Sequence, residues 1–206
     1  MTEDNQKQEK KEQVPITDSF QIVIKVPRKA PLNEEGWNKY EIKGGEMKFV
    51  QEFCKEFYKH KGKIIDVSNI LEKDIEQVIV KAKKQMSIPL KYDEFGTFSK
   101  NYTFLDKWED FRKITKDTSF PIKKDYKELR KNIFIGISIR NKYTHGELIY
   151  DGSLRKFFIE YNEDGKKEAE VDNEIIKKEV EFICNLSIPV REISNEFDRI
   201  YLEKKK

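Results

Sequence analysis

Arg140, Asn141 and His145 are the residues of this chain whose types and spacing can do chemistry. The run Arg140-Asn141-Lys142-Tyr143-Thr144-His145 sets a permanent cation, an amide and a titratable base within two helical turns. Histidine changes charge near neutral pH and can give or take a proton, while arginine presents a planar fork that matches two oxygens of a phosphate. The combination suits acid–base work at a phosphoryl centre. Acid and base together require two titrating groups, and the chain has one further histidine, His60, far off in sequence. Two copies of His145 brought to one cleft by a two-fold axis would supply the pair. A metal centre is not expected: two distant histidines and two cysteines without a Cys-x-x-Cys spacing form no cage.

The element that must position these residues is the segment leading into them. Ile133 to Ile139 is apolar apart from Gly136 and Ser138. Such a segment belongs centrally or at a subunit contact. With Pro121 as a first helical residue, Ile122, Tyr126, Leu129, Ile133, Ile137 and Arg140 follow at spacings of three and four. This predicts a helix from Pro121 to about His145, ended by Gly146. On a regular helix Asn141 and His145 lie about 40° apart but Arg140 and His145 about 140° apart, so either the helix end unwinds or the working pairs form across a dimer.

The elements around this segment read as follows. Residues 1–18 are polar enough to predict a loose, disordered tail, leaving 19–206 as one domain. Phe20 to Val26 alternates as a strand, and 27–45 reads as loop. Glu46 to Lys61 predicts a helix capped by Gly62, with His60 at its polar end as a surface or cap residue. A second helix starts at Ser68 as N-cap and closes at Pro89, with Lys81, Lys83 and Lys84 on its wet face. A short helix around Trp108 to Ile114 follows a loop. After Gly146 the period changes to that of strands, Glu147–Tyr150, Arg155–Tyr161 and Lys166–Val171, with a turn at Asn162-Glu163-Asp164-Gly165. A last long helix opens at Asn173, bent near Pro189. The fold class is mainly α, with a small antiparallel β meander after the motif helix.

At 206 residues, with 41 basic against 38 acidic side chains, the chain is long enough for a core but too nearly neutral for bulk charge to announce a nucleic-acid binder. The chain has no span long and apolar enough for a bilayer and no hydrophobic leader at its start, so a cytoplasmic protein without membrane contact is expected. Cys54 and Cys184 sit in apolar helical patterns and are expected as buried thiols.

Over Tyr126 to Tyr150 the chain resembles the HEPN superfamily, whose signature is Arg-polar-x-x-x-His near the end of a long helix. Asn141 takes the polar position, and His145-Gly146 is similar to the form common among bacterial members. The resemblance implies an HEPN-like helical bundle that pairs as a homodimer, and for many members a metal-independent ribonuclease. Carried over to this chain, Arg140 and His145 become the catalytic pair and Asn141 the residue that orients them, with no cofactor. Lys142 is then a candidate phosphate contact and Tyr143 a packing or substrate-lining residue.

The chemistry agrees: cleaving RNA without a metal needs a base for the 2′-hydroxyl, an acid for the leaving 5′-oxygen and a cation for the phosphate. An RNA-cleaving toxin or phage-defence effector, with an antitoxin protein as candidate partner, is one expectation. A non-catalytic dimer that binds nucleotide, RNA or a partner protein through the same cleft is the other. The plain structural alternative is an arginine that holds a carboxylate and a histidine that meets the last helix carbonyls.

Overall fold

The computed structural model describes residues 44–86, 102–117, 119–122 and 124–203 in full, and 11–17 and 20–25 as backbone. Among the described residues there are four helices, α1 (Gly44–Met86), α2 (Phe104–Ile114), α3 (Lys127–His145) and α4 (Asn173–Glu203). The strands are β1 (Lys11–Thr17), β2 (Phe20–Lys25), β3 (Glu147–Asp151), β4 (Lys156–Asn162) and β5 (Lys166–Val171). The predicted meander is therefore present between α3 and α4. The expected loops at 27–43 and 87–101, the first ten residues and Lys204–Lys206 lie outside the described residues.

Two compact units make up the chain. A sheet unit takes in Met1–Lys61 and Lys142–Lys177, and a helical unit Gly62–Asn141 and Lys178–Lys206. In the sheet unit the strands run β1-β2-β3-β4-β5, antiparallel except for the parallel pair of β2 and β3, where Val23 faces Ile149. Residues 11–17, part of the expected tail, are thus an edge strand, paired antiparallel with β2. The β4–β5 hairpin turns at Asp164 and Gly165, whose φ values of 53° and 116° lie in the left-handed region that the Asn-Glu-Asp-Gly turn was expected to need. One end of α1 packs on this sheet: Phe53 stacks on Phe157 with centroids 3.8 Å apart, and Tyr150 donates to Glu46 at 2.6 Å.

The two helices expected over 46–61 and 68–88 are one continuous helix of 43 residues. Gly62 does not cap and Ser68 does not start anything. Ser68 is fully buried and its hydroxyl donates back to the Ile64 carbonyl at 2.7 Å, an arrangement that lets a serine sit inside a helix. The reason is phase. Val50, Cys54, Phe57, Lys61, Ile64, Ser68, Leu71, Ile75, Val78 and Ala82 alternate at spacings of three and four without a skip. One stripe therefore crosses both supposed breaks, and its burial outweighs the roughly 1 kcal/mol that an interior glycine costs. His60, expected at the surface, is buried on this helix, with Nε2 3.9 Å from Glu56.

In the helical unit Gly136 of α3 lies where a Cβ would meet Leu186 at 3.1 Å, so small size there lets α3 approach α4. The short helix starts earlier than expected, at Phe104, because Thr103 and Asp106 form a reciprocal capping box. Charged pairs fasten it: Lys107 donates to Glu72 at 2.8 Å and Glu76 at 3.2 Å, and Lys83 to Asp110 at 2.8 Å, with Tyr102 donating to the same carboxylate. Lys83, predicted on a wet face, is buried. α3 begins at Lys127 rather than Pro121, since Asp125 accepts from the Lys127 amide at 2.8 Å and Pro121 lies in a bend. α4 runs unbroken through Pro189. Among the described residues no helix is long and apolar enough to cross a membrane.

Two measurements follow from this packing. Burial opposes ionisation of Asp110, but its bonds from Lys83 and Tyr102 prevail and hold the carboxyl below its usual range. Its stabilising contribution is therefore present above the unfolded-state carboxyl pKa and lost as pH falls through the depressed one. Asp110→Asn should cost about 3 kcal/mol at pH 7, and the difference from wild type in urea melts should shrink at acid pH. The cysteines differ as well. Burial pushes the Cys54 thiol up to about 12, whereas Cys184, expected buried, is exposed on α4. Ellman titration should count one rapid thiol in native protein and two in denaturant, with Cys184→Ser removing the rapid one.

Candidate functional site

α3 carries every residue singled out for chemistry, and the two units divide it after Asn141. The helix continues regularly to His145, and the Gly146 amide still bonds the Lys142 carbonyl at 2.9 Å. The helix end does not unwind.

In the helical unit, Asn141 is exposed and Arg140 is half-buried. The Arg140 guanidinium carbon stands 5.9 Å from the centre of the Phe104 ring, over its face. Its Nε is enclosed and has no hydrogen-bond acceptor among the described residues. The expected alternative, an arginine that holds a carboxylate, does not describe it. Arg130, Arg191 and Arg199 do behave that way, paired with Asp125, Asp74 and Glu196 respectively.

In the sheet unit His145 is exposed, and its imidazole has no hydrogen-bond partner among the described residues. Lys142 and Tyr143 are buried. Tyr143 is completely enclosed, its ring centroid 5.9 Å from that of Phe57, which makes it a packing residue. Lys142 carries its ammonium 4.8 Å from the Tyr143 ring centre, so burial turns the candidate phosphate contact inward. Their burial is a direction that sequence spacing leaves open, since the flanking Asn141 and His145 are exposed.

Gly146 matters for a reason other than the expected cap. A Cβ built there would lie 2.2 Å from the Lys142 carbonyl oxygen and 2.3 Å from Ile159 Cγ2, with the Glu160 carbonyl at 3.3 Å. β4 passes so close to the end of α3 that only hydrogen fits. Sequence reasoning placed the glycine but not its neighbour. It also missed the α2 aromatics against α3: Trp108 donates to the Arg130 carbonyl at 3.0 Å and packs on Phe134 with centroids 5.0 Å apart. The Phe104, Trp108 and Arg112 spacing of four was the available signal.

Wider clefts lie elsewhere. One of about 280 Å³ is bounded by Tyr126, Leu129, Pro189 and Ile193. Another of about 370 Å³ is bounded by Glu46, Phe49, Tyr150 and Arg155. Among the described residues no group of three potential ligands could hold a metal ion.

Gly146→Ala should destabilise the protein by about 1–3 kcal/mol through overpacking against β4, read as a lower midpoint in urea with an unchanged slope. Comparison with protein families, with curated proteins and with solved structures gives no match to this chain.

Proposed function

We propose that this protein is a metal-independent endoribonuclease that acts as a homodimer. The observation that carries the reading is that Arg140, Asn141 and His145 have no carboxylate or carbonyl partner among the described residues, whereas Arg130, Arg191 and Arg199 are each paired with a carboxylate. Polar groups that a fold leaves uncommitted on one helix are available to a ligand. Arg140 holds the non-bridging oxygens of the scissile phosphate and Asn141 orients the reacting groups. The His145 imidazole takes the 2′-hydroxyl proton as that oxygen attacks phosphorus. The bond from phosphorus to the 5′-oxygen breaks, and the second copy of His145 returns a proton to the leaving oxygen. The products are a 2′,3′-cyclic phosphate and a free 5′-hydroxyl.

A homodimer follows from the chemistry: an acid and a base act together, and a second copy supplies the second histidine. Ile135 is 39% exposed on α3 and Ile188 59% exposed on α4, apolar area that a second copy can cover. The single histidine of the motif favours, as second reading, a dimer that binds RNA or nucleotide without cutting it.

Wild-type protein incubated with mixed RNA in excess EDTA should yield cyclic-phosphate ends. His145→Ala should lower the rate roughly 10²- to 10⁴-fold and Arg140→Ala roughly 10²- to 10³-fold, with dimer mass unchanged by light scattering. Intact RNA from a folded wild-type dimer would transfer the reading to the binding module.

A further inference from the structure

The seam between α2 and α3, wholly within the helical unit, combines cations without carboxylates and aromatic faces in a regular order. On α2, Phe104, Trp108 and Arg112 recur every four residues and so share a face. The Arg112 guanidinium stands 5.2 Å from the Trp108 ring centre, and its Nε, like that of Arg140, is enclosed without an acceptor among the described residues. The helices run antiparallel along the seam. Arg140 lies at Phe104, Phe134 lies at Trp108, and Arg130 reaches Thr115 at 3.3 Å. Arg140 and Arg112 therefore mark the two ends, about 12 Å apart along α2. Between them Phe134 is 45% exposed although its ring already rests on Trp108.

A large aromatic left half in water, backed by a second ring and flanked by two stacked guanidiniums, is poor core packing. It is a good surface for a flat, anionic polymer. Stacking on an aromatic face pre-orients each guanidinium fork and leaves its outer donors for phosphate. Two of the α2 carboxylates are engaged elsewhere, Asp106 in the capping box and Asp110 with Lys83 and Tyr102. Glu109 stands exposed. Phe134 and Asn141 are seven residues apart, about 20° around α3, so the exposed ring and the motif amide share one ridge.

We infer that the α2–α3 seam is a binding strip for single-stranded RNA, with phosphates held at Arg112 and Arg140 and a base stacked on Phe134. The strip deepens the ribonuclease reading and rests on it for the choice of RNA. It adds a polarity to that reading, since the strand leads from Arg112 along Phe134 to the Arg140 end of the motif. Base stacking on an exposed ring requires unpaired bases, which makes the strip selective for single strands.

The test is fluorescence anisotropy with a labelled 2′-O-methyl oligouridylate of about ten nucleotides, which 2′-hydroxyl chemistry cannot consume. Wild-type protein should bind it with an affinity that falls as salt rises. Arg112→Gln should weaken binding roughly fivefold or more and make the log–log salt slope shallower by about 0.7, the value for one phosphate contact on a single strand. Phe134→Ala should weaken binding roughly tenfold with the slope unchanged, as loss of stacking does. Glu109→Gln should tighten it. Circular dichroism on each variant checks the fold, and cleavage of ordinary RNA is assayed in parallel.

The strip is overturned if folded Arg112→Gln and Phe134→Ala bind as wild type, if a duplex of equal length binds as well, or if polyglutamate competes equally. Cleavage that persists alongside unaltered binding by these variants sinks the strip and leaves the ribonuclease reading. Strip-dependent binding without any cleavage does the reverse.

Discussion

The unbroken apolar stripe of α1 is the constraint on which the rest depends. A helix of 43 residues is about 65 Å long, and such a length persists in water only when its buried face stays in phase from end to end. Spacings of three and four keep Phe53 and Phe57 toward the sheet side of the sequence and Leu71, Ile75 and Val78 toward the helical side. The residues that ought to interrupt it are absorbed. Gly62 costs helix propensity, and Ser68 places its one donor on the Ile64 carbonyl. Each unit has its own stretch of α1 as a wall.

Packing in the helical unit alternates apolar contact with buried charge. Gly136 admits Leu186, and Phe120 packs edge-on to Phe197 at 5.4 Å, while Arg191 bonds Asp74 at 2.8 Å and Lys107 bonds two glutamates. Buried ion pairs add little net stability relative to apolar contacts, because desolvation offsets most of the Coulombic gain. Their effect is on register. A short helix such as α2, with Phe104, Phe111 and Ile114 inward, could slide along α1 by a turn without losing much apolar area. The Lys107 and Asp110 contacts admit one position only. That position sets the α2 aromatics against α3.

Charge is thereby sorted into two populations. Arg130, Arg191, Arg199 and many lysines are matched with carboxylates, whereas Arg140 and Arg112 lie over aromatic rings. A guanidinium on a ring keeps its charge and most of its donors free, and the ring fixes the plane of the fork. At the polar end of α3, Asn141 and His145 are exposed, with no hydrogen-bond partner among the described residues. Gly146 closes that helix against β4 at a distance that excludes any side chain, so the direction of the last turn is set by the sheet.

Much of this was legible in the residues themselves. The meander after His145 follows from period-two patterns and from the Asn-Glu-Asp-Gly turn, both local signals that tertiary contacts rarely override. Likewise, the last turn of α3 follows from apolar spacing and a glycine, and the chemistry of Arg140, Asn141 and His145 from their types. What the residues alone did not decide is whether a break signal acts as one. Gly62 and Ser68 are genuine cap residues by type, and only the burial of Phe57, Ile64 and Leu71 on either side makes continuing the helix the better solution. Nor did they decide which polar residues face water. Lys83, His60, Lys142 and Cys184 each lie on the opposite side of that division from their type or pattern, because burial depends on which neighbours arrive across 20 to 100 residues of chain. Local sequence determined the elements and their chemistry. Tertiary packing decided which of those groups were engaged and which have no partner among the described residues, since only contact between distant segments can satisfy or strand a charge.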